Sequence, residues 1–117
     1  MSRRLCQALD LVDSPALIAE YQAHHRRIWP EVAAHLRGHG ILEMEIYQLG
    51  TRLFMVMEVA DAFDPAAFAA ASEQNPHIQR WEALMWRYQL PTPWTPPGDK
   101  WVTMERLFSL ADQSAAQ

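Results

Sequence analysis

The chain has 117 residues, half of them hydrophobic and 21 % charged, with a formal charge of −4 at pH 7. That length suits one domain with a real core and no disulfide support. The acidic balance gives no footing for nucleic acid or an anionic membrane as partner.

The lone cysteine, Cys6, has no internal partner and reads as a small buried hydrophobe. No apolar run approaches the ~18 residues of a spanning helix. Met1-Ser-Arg-Arg is followed by no hydrophobic signal segment, so the expected compartment is the cytoplasm.

Arg4 to Val12 is a mostly apolar run that reads as a strand. Ser14 as N-cap and Pro15 at the first helical position then start a helix through Leu17, Ile18, Tyr21 and His25. Trp29-Pro30 should interrupt it, because proline pushes its predecessor away from helical angles. The helix resumes to about Leu36, and Gly38 and Gly40 stop it. Ile41 to Leu49 and Arg52 to Val59 are strands joined by a Gly50-Thr51 hairpin turn. Asp64-Pro65 opens an alanine-rich helix. Asn75-Pro76 restarts it with Ile78, Trp81, Leu84, Met85 and Tyr88 on one stripe. A proline-dense loop, Pro91 to Gly98, leads to a last strand from Lys100 to Leu110.

This order, β-α-β-β-α-β, predicts a single ferredoxin-like α+β domain over residues 1–110, with 111–117 as a flexible tail. Leu53, Met55, Met57 and Val59 alternate with Phe54, Val56 and Glu58, so both faces of that strand are largely apolar. A sheet with helices on one side only would leave such a face wet. A second subunit, giving a dimeric α+β barrel, is the simplest cover.

Tyr21 and His25 lie four apart on one helical face, with Trp29 a turn further on. An imidazole is the side chain best suited to move protons near neutral pH. No serine-nucleophile motif or glycine-rich phosphate loop accompanies it, which leaves proton exchange on a neutral ligand. His35 and His39 share helical spacing for two metal ligands, but no third ligand has a recognised spacing, so no metal is expected. Trp81, Trp86, Tyr88, Trp94 and Trp101 supply apolar faces of the kind that sugar C–H surfaces lie against. Glu45, Glu58, Glu82 and Glu105 are candidate hydroxyl acceptors.

Several separated pieces together resemble the L-rhamnose mutarotase family over Leu5 to Leu110. They are Glu20-Tyr-Gln with His25, Ile28-Trp-Pro-Glu31, His39-Gly40, Ile46-Tyr47, Leu53-Phe54 with Glu58, Gln79-Arg-Trp81 with Met85, and Glu105 with Phe108. The resemblance implies a dimeric α+β barrel. It also implies an isomerase that interconverts the α and β anomers of a 6-deoxy sugar without a cofactor. By position, His25 matches the family's proton-donating histidine, Tyr21 its sugar-binding tyrosine, and Trp81 the first of two adjacent tryptophans. Glu82 stands where the second tryptophan would be, and Met44 replaces a substrate-contacting tyrosine.

Gly40-Ile-Leu-Glu-Met-Glu-Ile46 and Trp81-Glu-Ala-Leu-Met-Trp86 resemble the branch associated with L-fucose, which implies L-fucose ahead of L-rhamnose. The sequence does not name the group that completes the proton exchange beside His25; a carboxylate or water is the expectation. The rival is a non-catalytic ligand-binding module, or a haem or oxygenase-type protein, on the same barrel.

Overall fold

The computed structural model describes residues 2–115. The element order is β1 (Ser2–Leu11), α1 (Pro15–Arg26), α2 (Pro30–Gly38), β2 (Ile41–Leu49), β3 (Arg52–Ala60), α3 (Pro65–Glu73), α4 (Pro76–Met85), β4 (Gln89–Leu90) and β5 (Val102–Thr103). The strands form one antiparallel sheet in the order β2-β3-β1-β4, and β5 also pairs with β1. The chain thus has the expected α+β, ferredoxin-like plan.

Local chemistry sets the helix ends. Ser14 Oγ accepts from the Leu17 amide at 3.3 Å and Pro15 occupies the first turn of α1. α1 ends at Arg26, and Trp29, held extended at φ −63° and ψ 138°, caps α2 with Pro30 at its first position. Asp64 and Asn75 cap α3 and α4 through two backbone amides each. Such caps contribute about 1 kcal/mol apiece. Gly50 turns the β2–β3 hairpin at φ +57°, a left-handed value that glycine adopts without strain.

The helix-covered face carries the core. Leu9, Leu11, Leu53, Met55, Met57 and Val59 are buried there, with Tyr21, Val32, Ile78, Trp81, Met85 and Tyr88 packed over one half. Ile41 and Phe63 complete the other half. A bulge between Ile41 and Glu43 puts Leu42 out of step. Leu42 is exposed, while Ile41, Met44 and Ile46 pack toward the helices. The opposite face is open: Arg4, Cys6, Phe54 and Val56 line a shallow depression with Glu43, Glu45, Tyr47 and Glu58.

The last strand differs from the sequence expectation. Only Val102 and Thr103 pair, opposite Ala8 and Gln7. The Met104 amide still donates to the Cys6 carbonyl at 2.8 Å, and continuing that register would set Arg106 across from Arg4, where like charges disfavour pairing. Arg106 instead binds Asp112 at 2.9 Å. A second short strand, β4, takes the neighbouring stretch of β1 by pairing with Asp10 and Leu11. Of the tail expected over 111–117, Ala111 and Asp112 belong to a single 3-10 turn, and residues 116 and 117 lie outside the described residues.

Candidate active site

A cleft of about 330 Å³ opens between the C-terminal half of α1 and the hairpin end of β2 and β3, lined by Tyr21, Gln22, His25, Arg26, Ile46, Gln48 and Leu53. Its size falls at the small-ligand end of protein pockets. The helical spacing that joined Tyr21 to His25 in sequence does so in space: the rings lie 4.3 Å apart, centre to centre. Trp81, from α4, meets the His25 ring edge-on at 5.6 Å and Trp29 at 5.1 Å. The phenol, imidazole and two indoles therefore form one aromatic group, with the imidazole at its cleft side.

His25 Nδ1 lies 2.9 Å from the Tyr21 backbone carbonyl. A carbonyl only accepts, so Nδ1 carries the hydrogen and Nε2 keeps a lone pair in the neutral ring. Burial lowers the pKa of His25; the bond to the Tyr21 carbonyl opposes this, and neighbouring His24 adds to it. The ring is thus held neutral, with a base at Nε2.

Tyr21 is the complement. Only 3 % of its surface is exposed. Its pKa is pushed up to about 12 by burial, against a hydrogen bond from Gln89 and with help from the Glu82 charge. The phenol stays protonated near neutral pH. The Gln89 side-chain amide donates to its oxygen at 3.1 Å, leaving the phenolic hydrogen available as a donor. A neutral imidazole and a protonated phenol thus share the wall of one cleft.

Trp81 packs behind the cleft, buried against His25, and does not line it. Glu82 points along α4 to Lys100, whose ammonium lies 2.6 Å from Oε2 and 4.8 Å from the centre of the Trp86 ring. It reaches the cleft only through its charge on Tyr21. Met44 faces the helices and packs on the cluster of Ile41, Met55, Met57, Val59 and Phe63, two residues from cleft-lining Ile46. Glu45 and Glu58 lie on the open face, Glu58 accepting from Ser2 Oγ at 2.7 Å. Glu105 is exposed.

Sequence reasoning missed Gln22, Gln48 and Gln89. Gln22 Nε2 donates to Gln48 Oε1 at 3.0 Å, and Gln48 Nε2 donates to the Gly50 carbonyl at 2.9 Å, so the two amides make a fixed polar rim. The signals were present. Gln22 lies three before His25 on the same helical face, and Gln48 is a polar residue on the inward alternation of Met44 and Ile46. Gln89 gave no such signal, because a two-residue strand has no pattern to read.

The other histidines are engaged elsewhere. His24 Nε2 lies 3.2 Å from the Tyr88 hydroxyl, which donates to Glu20 at 3.1 Å. His35 meets Ser72 through one nitrogen and Asn75 through the other. Among the described residues, no group of three or more His, Cys, Asp or Glu side chains could hold a metal ion. No helix among them is long and apolar enough to cross a membrane.

Residues 4–110 match the family model described as L-rhamnose mutarotase. An L-fucose mutarotase of Xanthomonas campestris pv. campestris is 49 % identical over 98 % of this chain and 94 % of its own. An L-rhamnose mutarotase of Leptothrix cholodnii is 36 % identical, over 58 % of this chain and 62 % of its own. In three dimensions the chain resembles an L-rhamnose mutarotase from Formosa agariphila. The TM-score is 0.69 at 20 % identity, over 92 % of this chain and 98 % of that one, a likeness of fold. With nearly its whole length matched by the family model, the chain belongs to the L-rhamnose mutarotase family.

Proposed function

We propose that the protein is a mutarotase that interconverts the α and β anomers of a 6-deoxy hexose, with L-fucose preferred over L-rhamnose. The observation that carries this reading is that His25, its Nδ1 bonded to a carbonyl, and Tyr21, its phenol held protonated by burial, line one cleft. Mutarotation asks for that combination. His25 Nε2 takes the proton of the anomeric hydroxyl, the C1–O5 bond breaks with its electron pair moving to the ring oxygen, and Tyr21 gives that oxygen a proton. The aldehyde turns about C1–C2 and the same steps reverse on its other face, returning both protons. General acid–base help of this kind supplies ~10²–10⁴-fold, enough for a reaction that already proceeds in water.

Trp81 holds the imidazole in place. The Gln22–Gln48 rim offers amide donors and acceptors to the sugar hydroxyls. Met44 and Glu82 tune sugar preference from behind the wall, Met44 through its packing beside Ile46 and Glu82 through its charge at Tyr21. The L-fucose preference is supported by the near full-length likeness to an L-fucose mutarotase. The two sugars differ in configuration at C2 and C4, so discrimination rests on misdirected hydrogen bonds, each costing about 1–3 kcal/mol. Anomer-exchange NMR over a panel of 6-deoxy sugars tests this: L-fucose should exchange faster than L-rhamnose, and Glu82→Trp should narrow the gap. Wild-type exchange faster for L-rhamnose overturns the preference, and no exchange above buffer for any sugar overturns the activity.

The working unit is a homodimer in which a second copy covers the open face of the sheet. Phe54 and Val56 are apolar on that face, and Leu107, Phe108 and Leu110 are exposed after β5. Buried apolar area contributes ~25 cal/mol per Å², so covering these surfaces is favourable. The radius of gyration, 15.8 Å, also exceeds the ~13 Å of a compact chain of this length. Light scattering should give twice the chain mass at micromolar concentration; a monomer there sinks the assignment. A cytoplasmic location fits the lone Cys6.

A further inference from the structure

We infer that Gln89 is a positioning residue for the reaction: it turns the Tyr21 hydroxyl toward the sugar and steadies the phenol oxygen when its proton leaves. The inference rests on Tyr21 acting as the proton donor to the ring oxygen.

The geometry is specific. Gln89 sits on β4 opposite Leu11 and is 3 % exposed. Its Nε2 lies 3.1 Å from the Tyr21 oxygen. An amide nitrogen only donates, so it occupies a lone pair of the phenol and the phenolic hydrogen must point elsewhere. Among the described residues, Tyr21 donates that hydrogen to no protein acceptor, and Tyr21 is one of the residues that line the cleft.

The other end of the amide makes the case stronger. Gln89 Oε1 is buried with no hydrogen-bond partner. Buried polar atoms without partners are rare and ask for a reason. Were Gln89 only filling space, a methionine would do so without stranding a carbonyl. Turning the amide over would let Oε1 accept the phenolic hydrogen and withdraw that proton from the sugar. With Nε2 on the phenol oxygen, the amide leaves that proton free for chemistry.

During ring opening the anomeric proton passes to His25 and the phenolic proton to the ring oxygen, leaving an imidazolium and a phenolate. The Gln89 N–H then faces an anion, and hydrogen bonds to ionised acceptors are shorter and about twice as strong as neutral ones. Its contribution is thus larger after proton transfer than before, the condition for accelerating a step rather than merely binding substrate. On ring closure the C5 hydroxyl returns its proton to the phenolate and the imidazolium returns its own to the anomeric oxygen.

The test is a double-mutant cycle read by anomer-exchange NMR and thermal melting. Tyr21→Phe should lower kcat about 10²-fold. Gln89→Met should lower it about tenfold, the size of one hydrogen bond, with KM unchanged. The double variant should be no slower than Tyr21→Phe, because Gln89 acts through the hydroxyl that is then missing. Equal slowing by Gln89→Met in both backgrounds means a structural role only and overturns the inference, as does a wild-type kcat in Gln89→Met. Wild-type exchange in Tyr21→Phe rejects the donor role of Tyr21 itself, a separate failure visible without the second mutation. Should Gln89→Met not fold, Gln89→Glu preserves the shape but can only accept from Tyr21 when ionised. It should lose kcat as pH rises through the pKa of the introduced carboxyl, and a kcat with no such loss overturns the inference equally.

Discussion

His25 and His35 are alike in most respects that a sequence reveals. Each stands on a helix and is followed or preceded by a second histidine, and burial is the largest cause of the lowered pKa of each. What separates them is the count of engaged nitrogens. His35 Nε2 donates to Ser72 Oγ at 2.8 Å, since the Ser72 hydroxyl already gives its hydrogen to the Phe68 carbonyl; Nδ1 faces the Asn75 amide at 3.4 Å. That ring joins α2, α3 and the cap of α4 and has nothing left to offer. His25 spends one nitrogen on a backbone carbonyl and keeps the other for the cleft. Burial and a depressed pKa therefore do not separate the two rings; an unspent nitrogen beside a cavity does, and that is the ground for proposing His25 as the base.

Exchanging each ring for a methyl group is the sharpest way to break the comparison. His25→Ala should melt near the wild type but lose catalysed exchange by ~10²-fold or more. Near-normal exchange in the folded variant would remove the distinction altogether. His35→Ala should show the reverse: a stability loss of about 1–3 kcal/mol as Ser72 and Asn75 lose their partner, with exchange per folded molecule unchanged. Denaturant unfolding alongside NMR exchange separates the two. If His35→Ala were instead inert to denaturant, the network would not be holding the helices together.

A gentler test uses pH. Both rings have folded pKa values below the ordinary 6.5, so the folded state binds fewer protons than the unfolded chain between those values. Their contribution to stability is full above about 6.5 and declines as pH falls toward the lowered values. Melting temperature should drop over that window, and His35→Gln should flatten the drop. Exchange should persist at pH 6.5 and fall only at more acidic pH, as His25 takes up a proton. A loss of exchange centred above 6.5 would mean that His25 is not the neutral base.

Much of this was legible in the sequence because periodicity and caps carry it. Ser14-Pro15, Asp64-Pro65 and Asn75-Pro76 each start a helix where the residues said they would. The i, i+4 spacing of Tyr21 and His25 brought the two rings together. Pattern reading failed where contacts are non-local. The run from Lys100 to Leu110 has strand-like composition, but only Val102 and Thr103 pair with β1, whose residues lie almost a hundred positions away in sequence. Glu82 could not be placed without Lys100, which arrives from the far side of a proline-rich loop.

The bond from His25 Nδ1 to the carbonyl of Tyr21 has an evolutionary consequence. The tautomer of the base is set by main chain, not by the identity of any side chain. Drift at position 21 can change what the cleft recognises, or even remove the phenol, without flipping the imidazole or silencing its lone pair. On the proposed mechanism a lineage could thus change sugars while keeping a working base throughout, so that the proton-accepting half of that mechanism is inherited with the helix itself.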